Sequence, residues 1–240
     1  MDGAKVVIKG EIHSSRGDLE EEREILVEGV DRFILEGPEE EAKYGITEQW
    51  YAWMMLIMEY LFARQIYVDK TILTDIADAQ GAEIERTRES DLDVLRNSRI
   101  QIRILAFIIF IGTLTFSLYL GLNGQVLTGA GWLFASALLP LFILRTHESR
   151  RSDTGRDKQM AGQIEDAAKQ GGRVVAVLGD AHAKNVPDYL PDGLHIEYKP
   201  PVYGFLSIPS LKELVYPGFA FFSVLYVFYS LLLLYVQILL

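Results

Sequence analysis

The chain has no cysteine. A disulfide framework, an iron-sulfur cluster, a thiolate zinc site and a Cys nucleophile are therefore excluded, because each needs sulfur at a fixed position. Any bound metal must be held by His, Asp or Glu. Basic residues are scarce: 23 Lys and Arg stand against 33 Asp and Glu, a formal net charge of -10. A nucleic-acid binder needs a basic stripe to displace counterions from phosphate, so nucleic acid is set aside as a partner. The sequence also lacks a P-loop, a G-x-S-x-G elbow and a G-x-G-x-x-G fingerprint, which leaves phosphate-driven, serine-hydrolase and hydride-transfer chemistry without support.

Charge is missing from three long stretches within a chain that is 50% hydrophobic. Ile104 to Leu122, Val126 to Leu144 and Leu214 to Leu240 contain no Asp, Glu, Lys or Arg. Each is long enough to cross about 30 Å of hydrocarbon at about 1.5 Å of rise per helical residue. The first two are joined by Gly121 to Gln125 (GLNGQ), a tight polar turn, and are expected to form a transmembrane hairpin over 101–145. The third, 214–240, carries Pro217 near its start, where a missing amide hydrogen does least harm, and is expected to be a C-terminal anchor. The lipid bilayer is thus the first expected partner.

Arg96, Arg99 and Arg103 precede the first span, Arg145, Arg150, Arg151 and Arg156 follow the second, and Lys212 precedes the third. The opposite side carries no Lys or Arg. The positive-inside rule then puts both polar segments on the cytoplasmic side of a multi-pass cell-membrane protein. No signal peptide is expected, since Met1 leads directly into a charged, strand-like segment. Gln49 to Val68 is nearly all apolar but is interrupted by Glu59 and Arg64. It reads as a core or interfacial helix and not as a fourth span, because a charge near the bilayer centre costs about 2.5–3.5 kcal/mol on insertion scales.

The polar segments read as the two parts, 1–100 and 146–213, of one α/β domain with a mixed or mostly parallel sheet and flanking helices. Lys5 to Lys9 is a β-type run ending at Gly10, Leu19 to Val30 has helical spacing, and Arg32 to Glu36 is a second strand stopped by Gly37-Pro38. Thr71 to Ala82 reads as a further helix, Ala82 to Glu85 as a brief strand, and Arg86 to Arg103 as a helix running into the first span. After the hairpin, Asp157 to Gln170 is helical and Gly171-Gly172 ends it. Arg173 to Leu178 is a continuous apolar strand of the kind buried on both faces of a parallel sheet. His195 to Tyr198 is a last strand.

One four-residue pattern occurs twice. Gly10-Glu-Ile-His13 closes the first strand, and Gly179-Asp-Ala-His182 closes the strand after the hairpin; both read Gly, acid, apolar, His. Open α/β sheets bind ligands at the carboxyl ends of their strands, so two such turns on neighbouring strands would bring His13 and His182 over one crevice. Glu36, at the end of the second strand, joins them. Two imidazoles and a carboxylate with an open position are a suitable ligand set for a hydrolytic metal such as zinc, manganese or cobalt.

These motifs resemble the TraB/PrgY/Tiki family of pheromone-shutdown proteins and Tiki-type membrane metalloproteases. Gly10-Glu-Ile-His13 is similar to its first G-x-x-H motif, and Phe33-Ile-Leu-Glu36-Gly-Pro to its strand ending in a key glutamate. Gly155-Arg-Asp-Lys-Gln-Met160 followed by Val175 to His182 resembles its Arg-Asp-x-x-Met helix and second G-x-x-H. The resemblance implies a metal-dependent, protease-like domain with roles for His13, Glu36, Arg156 and His182. It departs from the family in the acids at Glu11 and Asp180, and in Glu85-Arg86 where Asp-Arg is frequent.

On this reading His13, Glu36 and His182 hold a divalent cation, Glu11 or Asp180 carries the proton, and Arg156 stabilises an oxyanion. The substrate is a peptide or protein. Plainer roles stand beside these. Either histidine suits a strand end, Glu36 a cap, and Arg156 lies in the basic run that sets topology. Glu11 and Asp180 suit either second-sphere acceptors to the imidazoles or a solvated surface. Asp157 reads as a helix N-terminal residue complementing the dipole, and Glu20 to Glu22 with Glu39 to Glu41 as solvated faces. Two rival functions remain: a non-catalytic membrane regulator that sequesters a signalling peptide or small ligand, and a metal or haem handling protein. A homo-oligomer is compatible with three spans.

Overall fold

The computed structural model describes residues 4–38, 43–88, 92–204 and 206–239. In chain order the elements are β1 (Lys5–Glu11), α1 (Arg16–Val27), β2 (Arg32–Pro38), α2 (Gln49–Met58), α3 (Arg64–Ile66), α4 (Thr71–Ala79), β3 (Glu83–Arg88), α5 (Leu92–Arg96), α6 (Ile100–Leu122), α7 (Val126–Lys169), β4 (Arg173–Gly179), α8 (Asp180–Asn185), β5 (His195–Lys199) and α9 (Ile208–Leu239). They divide into two compact units.

The first unit comprises Met1–Glu41, Tyr67–Asp91 and Ser152–Glu213. Its centre is a five-stranded, fully parallel sheet in the order β3-β2-β4-β1-β5. The central strand follows from composition: Val174 to Leu178 are all fully buried, so a continuous apolar run has a partner layer on each face. Strand alternation sorts the core into two halves. Val6, Ile8, Ile34, Val174, Ala176 and Leu178 face Met160, Ala161, Ile164 and Ala167 of α7 and Ala183 of α8. Val7, Phe33, Leu35, Val175 and Val177 face Ile25 and Leu26 of α1 and Leu73 and Ala77 of α4. Full burial of each such side chain contributes about 1.5–3 kcal/mol, which makes this two-sided core the main stabilising term.

Helix α1 begins at Ser15, whose side chain accepts from the Asp18 backbone N–H. Its inward face reads Asp18, Glu22, Ile25, Leu26, all buried. The acidic run is therefore not wholly solvated: Glu22 is fully buried, because the helical period carries it onto the sheet-facing side. Its carboxyl group is met there by Lys70 at 3.3 Å. Glu39 to Glu41 lie outside the described residues.

Three boundaries differ from the sequence reading. The helix expected over Asp157 to Gln170 and the second hairpin helix are one element, α7, running from Val126 to Lys169. Between them Gly155 is the residue that weakens helix most, at a cost of about 1 kcal/mol, and no proline stops it. The stop comes at Gly171 and Gly172, both with φ above +80°, a backbone that glycine adopts without strain. The expected helix over Arg86 to Arg103 is instead the end of β3, the short α5, and an extended Arg99 (φ −61°, ψ 146°) before α6. Pairing of Arg32 to Leu35 with Glu83 to Arg86 holds that stretch in the sheet, so tertiary pairing overrides local helix preference. Likewise α4 ends at Ala79, ahead of Gly81 in the left-handed region.

The second unit comprises Ala42–Ile66, Leu92–Arg151 and Leu214–Leu240. Three helices are long and apolar enough to cross a membrane: α6, the Val126–His147 portion of α7, and α9. Their interior is polar at one level. Tyr229 of α9 is fully buried and its hydroxyl donates to the Ser117 carbonyl, while Ser117 Oγ donates to the Gly129 carbonyl at 2.7 Å. Without water, each such group needs an internal partner. The segment Gln49 to Ile66 packs in this unit and not on the sheet: Tyr51 and Met54 join Ala106, Phe110 and Ala137, and Leu61 joins Leu133, Phe221 and Leu225. A π-helical turn at Glu59–Ala63 divides it. Glu59 pairs with Arg64 at 3.5 Å, and that guanidinium lies 4.2 Å from the Tyr60 ring centroid, so the two charges that interrupt the apolar run compensate each other.

Candidate functional site

The parallel register sets the site. β4 lies between β1 and β2, so the carboxyl ends of the strands bearing His13, His182 and Glu36 are neighbours. His13 follows β1 by two residues, Glu36 lies two residues before the end of β2, and His182 is on α8, which starts directly after Gly179. Glu36 Oε2 accepts the Gly179 backbone N–H at 2.7 Å. A Cβ at Gly179 would sit 3.1 Å from Glu36 Oε2 and 3.7 Å from His13 Nε2, so the glycine allows the carboxylate and the imidazole to close over the strand end.

Both imidazoles are held in the same way. His13 Nδ1 lies 2.6 Å from Glu11 Oε1, and His182 Nδ1 lies 2.6 Å from Asp157 Oδ1. A carboxylate only accepts, so each Nδ1 donates to it and each Nε2 is left for another partner. His182 Nε2 stands 3.9 Å from Glu36 Oε1, and Arg156 Nη2 stands at the same distance from that oxygen. The His13 and His182 side chains keep 40% and 27% of their surface exposed, which leaves the crevice open to a solute.

Glu11 is almost fully buried behind His13 and is thereby an orienting group. Asp157 is a correction: it is in the middle of α7, not at a helix start, and binds His182, with Asn185 donating to its other oxygen at 3.1 Å. The signal was its place after Arg156, in the pair that resembles the family's Arg-Asp helix. Asp180 pairs with Lys184 at 2.6 Å and is bonded to neither imidazole; its second oxygen lies 3.5 Å from where a Gly10 Cβ would be.

Among the described residues no group of three or more His, Asp or Glu side chains is placed so that it could hold a metal ion. The donor types themselves are of a metal-binding kind: two imidazoles with Nδ1 committed to carboxylates, and the Glu36 carboxylate near His182.

Beneath His13 lies a buried polar cluster. The Lys70 ammonium pairs with Glu11 Oε2 and, at 3.3 Å, with Glu22. Lys9, fully buried, meets Asp18, Glu21 and the Pro200 carbonyl, each at 2.8 Å. Burial, with Asp18 beside it, pushes the Glu22 carboxyl up from 4.5 to about 8. Burial, with Lys9 beside it, pulls the Lys70 ammonium down to about 7. The pair therefore keeps two protons until about pH 7 in the folded chain, whereas the unfolded chain gives up the Glu22 proton near 4.5. The folded state binds the extra proton between those values, so stability falls as pH rises through that window. Glu22→Gln is expected to flatten the fall, which amounts to on the order of 3 kcal/mol. Thermal midpoints of the full chain in detergent at about pH 5 and pH 7 test this; equal slopes in variant and wild type would refute it.

No family model, no curated protein and no solved structure matches this chain.

Proposed function

We propose that the protein is a membrane-anchored metal-dependent peptidase or hydrolase of the TraB/Tiki type. Its α/β domain, which comprises Met1–Glu41, Tyr67–Asp91 and Ser152–Glu213 and not all of 1–100 and 146–213, would face the cytoplasm. The observation that carries this reading is the matched pair of imidazoles, each with Nδ1 on a buried carboxylate and Nε2 on the side of Glu36 or Gly179.

His13, His182 and Glu36 would hold a zinc, manganese or cobalt ion. When bound, such a cation supplies a water acidic enough to attack a carbonyl at neutral pH. The chain's own groups do the rest. Glu11 and Asp157 fix the tautomer and aim of the imidazoles. Arg156, whose guanidinium reaches the Glu36 carboxylate, offers N–H donors to an oxyanion on the solvent side of the crevice. Asp180, at the rim, would carry protons in exchange with Lys184. The membrane helices keep the domain at the bilayer, where a peptide or protein substrate would be met.

A second reading, a non-catalytic regulator that sequesters a signalling peptide or small ligand, is favoured by the looseness of the donor set: Glu36 is engaged by Arg156 and the Gly179 amide. One experiment separates them. The full chain in detergent, loaded with each metal in turn, is expected to cleave a mixed peptide library; a chelator stops it, and Glu36→Gln lowers kcat by about 10²-fold or more. Saturable peptide binding without turnover, indifferent to chelator, would establish the regulator instead.

A further inference from the structure

The two imidazoles share a geometry but not a support. Behind His182, Asp157 is completed by a neutral amide, Asn185. Behind His13, Glu11 is completed by a lysine: one oxygen accepts from His13 Nδ1 and the other pairs with the Lys70 ammonium, which also reaches Glu22. Glu11 and Glu22 side chains are 1% and 0% exposed, so no water replaces the lysine on either.

The loop that delivers Lys70 is tied to the same histidine. The Val68 backbone N–H donates to the His13 carbonyl at 3.0 Å, and the Tyr67 ring stands 5.7 Å from the imidazole. Asp69 Oδ1 accepts from the Thr71 amide at 2.9 Å and from its hydroxyl at 2.7 Å, which sets the entry to α4 and with it the Lys70 position.

We propose that Lys70 is a positioning residue for His13: its ammonium, clamped between Glu11 and Glu22, fixes the Glu11 carboxylate so that His13 presents Nε2 toward Glu36. The inference rests on the reading of His13 as a site residue. The physical cause is an accounting of lone pairs. A buried carboxylate bonded through each oxygen has one orientation, whereas one that loses a partner turns to find another donor and releases Nδ1.

The test uses full-length protein in detergent, stripped of metal and labelled with ¹⁵N at histidine. At about pH 7, just above the ordinary value of histidine and no higher than the value of about 7 at which Lys70 gives up its proton, ring-nitrogen shifts report which nitrogen holds the proton. His13→Gln and His182→Gln variants assign the signals. Wild type is expected to show both imidazoles with the proton on Nδ1. In Lys70→Met the His13 signal is expected to move to a mixture of the two tautomers while His182 stays unchanged, and Lys70→Arg is expected to restore it. An unchanged His13 in Lys70→Met, or His13 and His182 shifting together, overturns the proposal.

If Lys70→Met alone does not fold, the comparison is made in Lys70→Met/Glu22→Gln, which leaves no unpaired charge at position 22. Cobalt(II) titration of the same samples separates the two readings. A wild type that binds none sinks the metal centre, while the tautomer result still decides on Lys70. A wild type that binds cobalt is expected to lose about tenfold in affinity on Lys70→Met.

Discussion

A His13→Ala/His182→Ala variant is expected to bind no divalent metal, while the wild-type chain carries about one per molecule. The reasoning starts from the missing thiols: with no cysteine, nitrogen donors are the only strong ligands for zinc or cobalt that the crevice offers, and carboxylates alone hold such ions weakly. Both histidines are outside the two core layers of the sheet and partly exposed, so their truncation removes donors without opening a cavity in the core. Elemental analysis of monodisperse wild type and variant, after incubation with zinc, manganese or cobalt, reads the outcome. Equal metal in both would place the ion elsewhere. None in either would favour the ligand-binding regulator.

Gly129→Leu is expected to be the most damaging single exchange among the apolar helices. A Cβ at Gly129 would overlap the Tyr229 hydroxyl and stand 2.8 Å from Cζ, and leucine adds three further carbons. Tyr229 is fully buried and is also held by the Ser117 carbonyl, whose own side chain is held by the Gly129 carbonyl. Relief by moving the ring therefore breaks its hydrogen bond to the Ser117 carbonyl. Overpacking costs about 1–3 kcal/mol and the lost bond about 1 kcal/mol, so a loss of roughly 2–4 kcal/mol is expected, read as a large drop in the midpoint of unfolding in detergent. Gly131 is the internal control. Nothing stands within 4 Å of its would-be Cβ, so Gly131→Leu is expected to be close to neutral; equal damage at both positions would argue against this packing. Small residues where helices approach closely are a general device of membrane bundles.

The features legible in the sequence are those with a local cause. The apolar run over Arg173 to Leu178 can only be a strand covered on both faces, and it is the middle strand of the sheet. The charge-free stretches identify the three apolar helices. The repeated Gly, acid, apolar, His pattern lies at the ends of two adjacent strands. What was hidden depends on distance in space. Nothing in the helix-forming stretch between Leu144 and Asp157 marks whether one helix or two pass through it. Asp157 and Glu22 look like surface acids until the fold turns them inward, toward His182 and Lys70. Lys70 occupies a short connection and belongs to no motif; only its burial between two carboxylates distinguishes it.

The strand order also has a consequence for synthesis. β1 and β2 come first from the ribosome, yet they do not pair with each other; β4 lies between them, so Lys5 meets Arg173 and Arg32 meets Val174. Between Pro38 and Arg173 come two of the apolar helices. At about 5–20 residues per second, β1 waits on the order of ten seconds before either of its neighbours, β4 and β5, exists, while β2 can pair with β3 sooner but keeps its other edge bare until β4 is made. Non-local pairing of this kind makes sheet closure slow and exposes the nascent edges to aggregation. The first two apolar helices are made inside that interval, so the crevice carrying His13 and His182 is finished only after both have left the ribosome.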